Sequence, residues 1–364
     1  MGGVFGECRF LTITAAHAVL FTRLFARRRK GWGGRGGRAR SVVRAPNREN
    51  MVLSRRQFLK GLALMSAGTA GFGGYAVAEP WRLNVTRYAL TPPRWPKGLN
   101  LKLAVVADIH ACEPWMGLDR IRRFVARTNA TNPDAVLLLG DYVAGQRMSR
   151  MSSPVPRAGW ANALAELSAP LGVHAVLGNH DWWEDRELQS TRSGIVPART
   201  ALEDAGIPVY ENGAVRLMKD GEPFWLAGLG DQWAYWPTAD EYPAFVKGGR
   251  IGYTGVHDLS GTLAKVNDGA PVILMAHEPD IFPEVPDRVA LTISGHTHGG
   301  QIRVAGFAPI VPSKYGRRYV YGHIVENGRN LIVSGGLGCS GFPLRFGSPP
   351  EIVVVELGGE RASS

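Results

Sequence analysis

Val289-Ala290-Leu291-Thr292-Ile293-Ser294 runs uncharged into Gly295-His296-Thr297-His298-Gly299-Gly300, and that junction decides how the rest of the chain is read. The first six residues form a short apolar run typical of a strand buried on both faces. The glycines that follow permit backbone conformations closed to other residues. In such a turn, two histidines one residue apart can aim their rings at one place. Taken alone, a His-x-His in a Gly-rich turn is as readily a solvated loop.

Four other apolar runs end in the same manner. Leu103 to Ala107 runs into Asp108-Ile109-His110, and Ala135 to Gly140 into Asp141. Val173 to Gly178 runs into Asn179-His180-Asp181, and Val272 to Ala276 into His277. Ligands of open α/β sheets gather beyond the carboxyl ends of such strands. Any one of these residues has an ordinary explanation, because an Asp after a strand is commonly a turn residue or helix cap. Five exits ending in Asp, Asn or His point instead to a single polar cluster.

The residue types narrow the chemistry. Carboxylates, an amide oxygen and imidazoles, with no thiolate, suit manganese, iron(II) or zinc. One tetrahedral zinc is filled by about four ligands. Asp108, His110, Asp141, Asn179, His277, His296 and His298 are enough for two ions. Paired ions roughly 3.5–4 Å apart can activate water and stabilise an in-line displacement at phosphorus.

The ordered set Asp-x-His, Gly-Asp, Gly-Asn-His-Asp, a lone His and Gly-His-Thr-His resembles the calcineurin-like metallophosphoesterase superfamily, from Leu101 to the C-terminus. Pro312-Ser313-Lys314-Tyr315-Gly316, Gly336-Leu337-Gly338 and Pro349-Pro350-Glu351 resemble its bacterial exported or membrane-associated branch. The resemblance implies an α/β fold, a four-layer α/β/β/α sandwich of two mixed sheets flanked by helices. It implies one ion on Asp108, His110 and His298, a second on Asn179, His277 and His296, and Asp141 between them. Two divalent ions are expected, manganese first and iron or zinc as alternatives, with a hydroxide between them as nucleophile. Asn179 and His180 would contact the phosphoryl group, His180 also serving the leaving group as acid. Asp181 would orient His180 or cap the next turn.

The 364 residues, 45% of them hydrophobic, can bury a large core. The formal charge of +11 invites a nucleic-acid or anionic-membrane reading. Most of it lies in the leader: residues 1–50 carry +9, residues 51–78 carry +3, and the remainder is −1. A nuclease using the basic arm therefore has little support in residues 79–364. A non-catalytic binding protein on the same fold is the other alternative, and it conflicts with a complete set of ligand types. Cys8, Cys112 and Cys339 do not make a disulfide framework, and Cys112 with Cys339 reads better as two unpaired residues than as a bridge.

In chain order, residues 1–50 are a basic irregular leader, with Met51 the expected start of the working protein. Ser54-Arg55-Arg56-Gln57-Phe58-Leu59-Lys60 and the Gly/Ala-rich stretch to Ala78 resemble a twin-arginine export signal or weak anchor, with Ala76-Val77-Ala78 as a cleavage site. This implies the export machinery as a partner and a periplasmic or envelope location. Trp81 to Leu90 suits an edge strand, and Leu118 to Asn129 a covering helix. Gln146 to Gly159 reads as a surface loop, Ala161 to Leu167 and Ile195 to Ala205 as helices, and Asn212-Gly213 and Asn327-Gly328 as hairpin turns. The final strand is Ile352 to Val355. His174 reads as a core residue, His257 and His323 as loop or edge residues, and Arg345 as a structural ion-pairing residue rather than a substrate contact. Trp233 to Thr254 is an aromatic insert that either holds a lipid or base or covers its own core. The expected substrate is a phosphate ester, lipid or envelope phosphodiesters preferred, handled by a monomer.

Overall fold

A computed structural model of the chain describes residues 71–145, 148, 151–238 and 252–358. The basic leader and most of the signal-like stretch therefore lie outside the described residues, as does the middle of the aromatic insert. Among the described residues no helix is long and apolar enough to cross a membrane.

Thirteen strands are described: β1 (Asn84–Leu90), β2 (Leu101–Val106), β3 (Cys112–Glu113), β4 (Ala135–Leu138), β5 (Ser153–Pro154), β6 (Val173–Ala175), β7 (Gly213–Lys219), β8 (Glu222–Gly228), β9 (Val272–Met275), β10 (Val289–Ser294), β11 (Gly322–Glu326), β12 (Arg329–Val333) and β13 (Glu351–Leu357). One sheet has the order β1-β13-β2-β4-β6 and the other β11-β12-β10-β9-β8-β7, with β3 and β5 pairing separately. Both large sheets are mixed. β2, β4 and β6 run parallel, as do β8, β9, β10 and β12. The carboxyl ends of the parallel strands within each sheet therefore leave by a common edge.

Alternation of side chains along the strands sorts the core into three layers. Leu103, Val105, Leu137, Val353 and Val355 of the first sheet meet Phe224, Leu226, Ile273, Met275 and Ile293 of the second. The other face of the first sheet, with Ala104, Val106, Val136 and Leu138, packs under α1 (Leu118–Asn129) and α2 (Arg157–Leu164) through Ile121, Phe124, Val125 and Trp160. The far face of the second sheet, with Ala227, Val272, Leu274, Leu331 and Val333, is covered by Leu263, Ile281, Phe282 and Tyr319. Each Val, Leu, Ile, Phe or Met side chain among them contributes about 1.5–3 kcal/mol by leaving water. This is the expected four-layer α/β/β/α sandwich.

The helix expected over 118–129 has those bounds, and β1 is an edge strand. Other boundaries shift. The helix expected from Ala161 is α2, which begins at Arg157, because Trp160 is drawn inward to stack on Tyr142 at 5.3 Å. The loop expected to reach Gly159 therefore ends earlier, and Ser153–Pro154 within it pairs with Cys112–Glu113. The helix expected over 195–205 spans Pro197–Asp204. The first hairpin turns at Asp220-Gly221, with Lys219 opposite Glu222, and not at Asn212-Gly213. Asn212 instead ties two loops together, its side chain donating to Val256 O (2.7 Å) and accepting from Gly230 N (2.9 Å) and Asp258 N (2.8 Å). The Asn327-Gly328 turn lies between β11 and β12 as expected.

Candidate metal centre

Backbone hydrogen bonds stitch neighbouring strand exits together within each sheet. Asp108 N–H donates to Gly140 O (3.1 Å), His110 N–H to Asp141 O (2.9 Å), and Gly295 N–H to His277 O (3.0 Å). The Asp108 carboxylate accepts from His296 N–H at 3.0 and 3.1 Å, joining β2 of one sheet to β10 of the other. Asp108, His110, Asp141, His296 and His298 all adopt positive φ, between 49° and 68°. Such conformations cost roughly 1–3 kcal/mol each and persist only where surrounding contacts enforce them. Gly178 shows how tight the junction is, since any Cβ there would collide with the Asp141 carboxylate.

The seven residues expected as ligands converge, each at most 5% exposed. Donor atoms of Asp108, His110 and His298 lie within 4.8 Å of one another, and so do those of Asp141, His277 and His296. In the first group His110 Nε2 and His298 Nε2 are 3.0 Å apart, and His298 Nε2 is 3.6 Å from Asp108 Oδ1. In the second, His296 Nδ1 lies 3.3 Å from His277 Nε2 and 2.8 Å from Asn179 Oδ1. Asp141 Oδ2 joins the groups, 3.6 Å from His110 Nε2 and 3.3 Å from His277 Nε2. The far ring nitrogens are anchored: His110 Nδ1 pairs with Val143 O (2.9 Å) and His277 Nδ1 with Leu139 O (2.6 Å). Donation to a carbonyl there leaves His110 Nε2 as a bare lone pair facing the cluster, and turns His277 Nε2 toward Asp141, where loss of its proton would expose a second.

Burial sets the charges. It pushes His110 down to about 4 and His296 and His298 well below the ordinary histidine range, so these rings are neutral donors. It raises Asp108 to about 7. Burial opposes ionisation of Asp141 and His277 as well, but their mutual attraction outweighs it. Asp141 is held well below the carboxylate range and His277 well above its own.

Lone pairs of buried nitrogens and oxygens crowded to 3.0–3.6 Å are the arrangement that divalent cations satisfy. Asp108, His110 and His298 fit one cation, and His277, His296 and Asn179 a second. Asp141, a carboxylate with an oxygen near imidazoles of both groups, fits between them.

Residues around the cluster depart from expectation. Asp181 does not touch His180. Its carboxylate accepts four backbone N–H groups: Gly178, Asp141 and Tyr142 at 2.9 Å and Val143 at 3.3 Å. It therefore holds the preceding turn at Gly178, where the next turn was expected, and also clamps the Asp141 backbone. Burial and the nearby Asp141 charge raise it to about 7. His180 faces His110 edge-on at 5.1 Å, and its N–H donates to Asp141 Oδ1 (2.8 Å). The acid beside its ring is Glu184, 3.7 Å from Nδ1, one helical turn on and missed in the sequence reading. Burial lowers His180, but Asp141 and Glu184 outweigh it and leave it raised.

Arg345 is fully buried and among the described residues pairs with no carboxylate. Its guanidinium donates to Gly335, Gly338 and Ser348 carbonyls and lies 3.2 Å from His298 Nδ1. It is structural, though through carbonyls where an ion pair was expected. Cys112 and Cys339 are buried and free. His174 is a satisfied core residue, held by Tyr210 OH (3.0 Å) and Leu171 O (2.8 Å). Of the aromatic insert, Trp233 is buried edge-on against His296 at 4.5 Å, and its carbonyl accepts from Trp183 Nε1 at 2.7 Å. Trp183 in turn lies edge-on to His180 at 5.1 Å.

Residues 101–300 match the family model for calcineurin-like phosphoesterases. The chain is 30% identical over 314 residues to YkuE, an uncharacterized metallophosphoesterase of Bacillus subtilis (strain 168), covering 84% of this chain and 98% of that protein. It is 30% identical over 291 residues to an uncharacterized metallophosphoesterase of Aquifex aeolicus (strain VF5), covering 79% and 97%. It is also similar to the phosphodiesterase YaeI of Escherichia coli (strain K12), at 28% identity over 314 residues, covering 84% and 100%.

Proposed function

The chain belongs to the calcineurin-like phosphoesterase family, a metal-dependent phosphoester hydrolase, and from that premise we propose that it cleaves phosphodiesters of the cell envelope at the cluster around Asp141. The observation that carries the reading is the carboxylate of Asp141 set between two groups of buried nitrogen and oxygen donors. Two divalent ions, manganese first, would supply positive charge to the phosphoryl oxygens and lower the pKa of water in the site. Asp108, His110 and His298 would hold one, Asn179, His277 and His296 the other, with Asp141 shared.

The chain's own groups do the rest. His180, whose pKa Asp141 and Glu184 raise against burial, faces the cluster and in its protonated form can donate to a phosphoryl oxygen and then to the departing alkoxide. Asn179 offers its side-chain amide beside it. Trp183 and Trp233 line this side and keep water from His180 and His296. A diester is preferred because the E. coli relative is named a phosphodiesterase. The Ser54 to Lys60 motif supports twin-arginine export to the periplasm or envelope, and with it a lipid-related substrate for a monomeric enzyme.

The test is turnover of bis-p-nitrophenyl phosphate and p-nitrophenyl phosphate by metal-depleted chain with Mn²⁺, Fe²⁺ or Zn²⁺ restored. Restored activity favouring the diester is expected. His180→Gln should keep its ions and lose about 10²–10⁴-fold in kcat. Absence of metal-dependent turnover on either substrate would refute the proposal.

A further inference from the structure

Most of the exposed large hydrophobic side chains among the described residues fall in residues 72–81, in 304–310 and at Phe342. Contacts join these segments into one surface. Residues 71–78 are helical, and Phe72 stacks on Phe346 at 4.1 Å while Tyr75 meets it edge-on at 5.1 Å. Phe346 is bonded to the strand-like segment leaving the His296–His298 turn, its N–H donating to Gln301 O (3.0 Å) and its carbonyl accepting from Arg303 N (2.6 Å). That segment closes on itself through Val304 and Phe307, paired at 2.9 Å in both directions. Gln301 Nε2 reaches Phe342 O at 3.2 Å. Val304, Phe307, Ile310 and Phe342 are between 51% and 80% exposed. Single exposed apolar residues are ordinary, whereas a contiguous group marks a contact surface.

The charge around it has one sign. Residues 299–320 hold Arg303, Lys314, Arg317 and Arg318 and no acid, and residues 340–350 hold none either. The one acid of residues 71–82, Glu79, is buried, its carboxylate accepting from Gly347 and Ser348 N–H. Arg318 is neutralised by Glu326 at 2.8 Å. Arg317 lies over the Phe307 ring at 4.2 Å and Arg303 over Tyr321 at 5.0 Å. Apolar tips ringed by cations, with no exposed acid on these segments, match the boundary between acyl chains and anionic headgroups.

We infer that this face docks on an anionic lipid bilayer, residues 304–310 entering the headgroup region. The chain arrives on the same face, since residue 71 follows the twin-arginine motif and the Gly/Ala-rich apolar stretch. Ala76 O accepts from Arg345 N–H (3.1 Å), and Arg345 is the residue against His298. Docking therefore brings the cluster to the membrane, where, on the envelope-substrate reading above, a lipid-linked phosphodiester would meet it.

The experiment is co-sedimentation of the full chain with vesicles of phosphatidylglycerol and phosphatidylcholine, or of phosphatidylcholine alone. The wild type is expected on the anionic vesicles, more weakly as salt rises. Full-chain Phe307→Ser/Ile310→Ser should partition at least about tenfold more weakly, since each side chain gives up a buried apolar group. Lys314→Ser/Arg317→Ser should lose several-fold on anionic vesicles only. Both variants should keep wild-type turnover of bis-p-nitrophenyl phosphate without vesicles, which separates this inference from the catalytic one. Wild-type partitioning by the first variant would place membrane binding outside residues 304–310 and overturn the inference. Absent binding by the wild type, or light scattering that shows a dimer broken by these substitutions, would overturn it as well.

Discussion

Asp181→Asn changes one atom of one side chain and tests how the Asp141 loop is held. The carboxylate accepts four backbone N–H groups, all buried but that of the part-buried Val143, two on each oxygen: Tyr142 and Val143 on Oδ1, Asp141 and Gly178 on Oδ2. An amide keeps one acceptor oxygen and turns an NH₂ group toward the other pair of donors. Two buried N–H groups without an acceptor cost about 1–3 kcal/mol each, so the expected loss is about 2–6 kcal/mol. At roughly 2 °C per kcal/mol for a chain of this size, Tm should fall by about 4–12 °C. Asp141 holds positive φ (57°) under this clamp, so ion affinity should fall together with stability, by about 10–100-fold. The assay is scanning calorimetry of metal-free protein followed by Mn²⁺ titration. It is done at about pH 8, above the value near 7 to which burial and Asp141 raise Asp181. A Tm within about 1 °C of wild type with unchanged affinity would refute the clamp. A lower Tm with unchanged affinity would confine Asp181 to the fold.

Two further outcomes follow from the electrostatics. Burial raises Asp108 to about 7, and Asp141 keeps His277 protonated above its ordinary range despite burial. A cation binds only the deprotonated groups, and below pH 7 both hold a proton, so affinity should rise there by up to about a hundredfold per pH unit, with protons released on binding; a flat Mn²⁺ affinity between about pH 5 and 7 would contradict this. Burial also raises the free thiols of Cys112 and Cys339, which lowers their thiolate fraction. In a Cys8→Ser chain neither should react with a disulfide reagent until denaturant is added, and fast labelling of either in native protein would contradict that.

The strand exits were legible because they are local signals. A run such as Val272 to Ala276 must be buried on both faces, and parallel strands deliver their ends to one edge. The four layers were implied by the family resemblance, and the helical spacing of Ile121, Phe124 and Val125 marked one covering helix. What sequence could not supply was the choice among partners distant along the chain. Asn212-Gly213 and Asp220-Gly221 are both sound hairpin signals, and contacts to Val256 and Asp258, more than forty residues away, decide that Asn212 is a tie and not the turn. Asp181 looked like a partner of its neighbour His180 because its true partners include the backbone of residues 141–143. Glu184 could have been found, since a helix opening at Asn179 places residues 180 and 184 on one face. The docking of residues 71–82 on Phe346 and Arg345 left no trace in either segment alone.

The most direct measurement is the divalent metal content of full-length protein, by elemental analysis after Mn²⁺ loading and exhaustive dialysis, for wild type and Asp141→Asn. The arrangement around Asp141 predicts about two ions per chain in the wild type and loss of at least one in the variant. Wild-type protein that retains no ion, or a variant that retains the same number, would contradict a shared carboxylate between two cations.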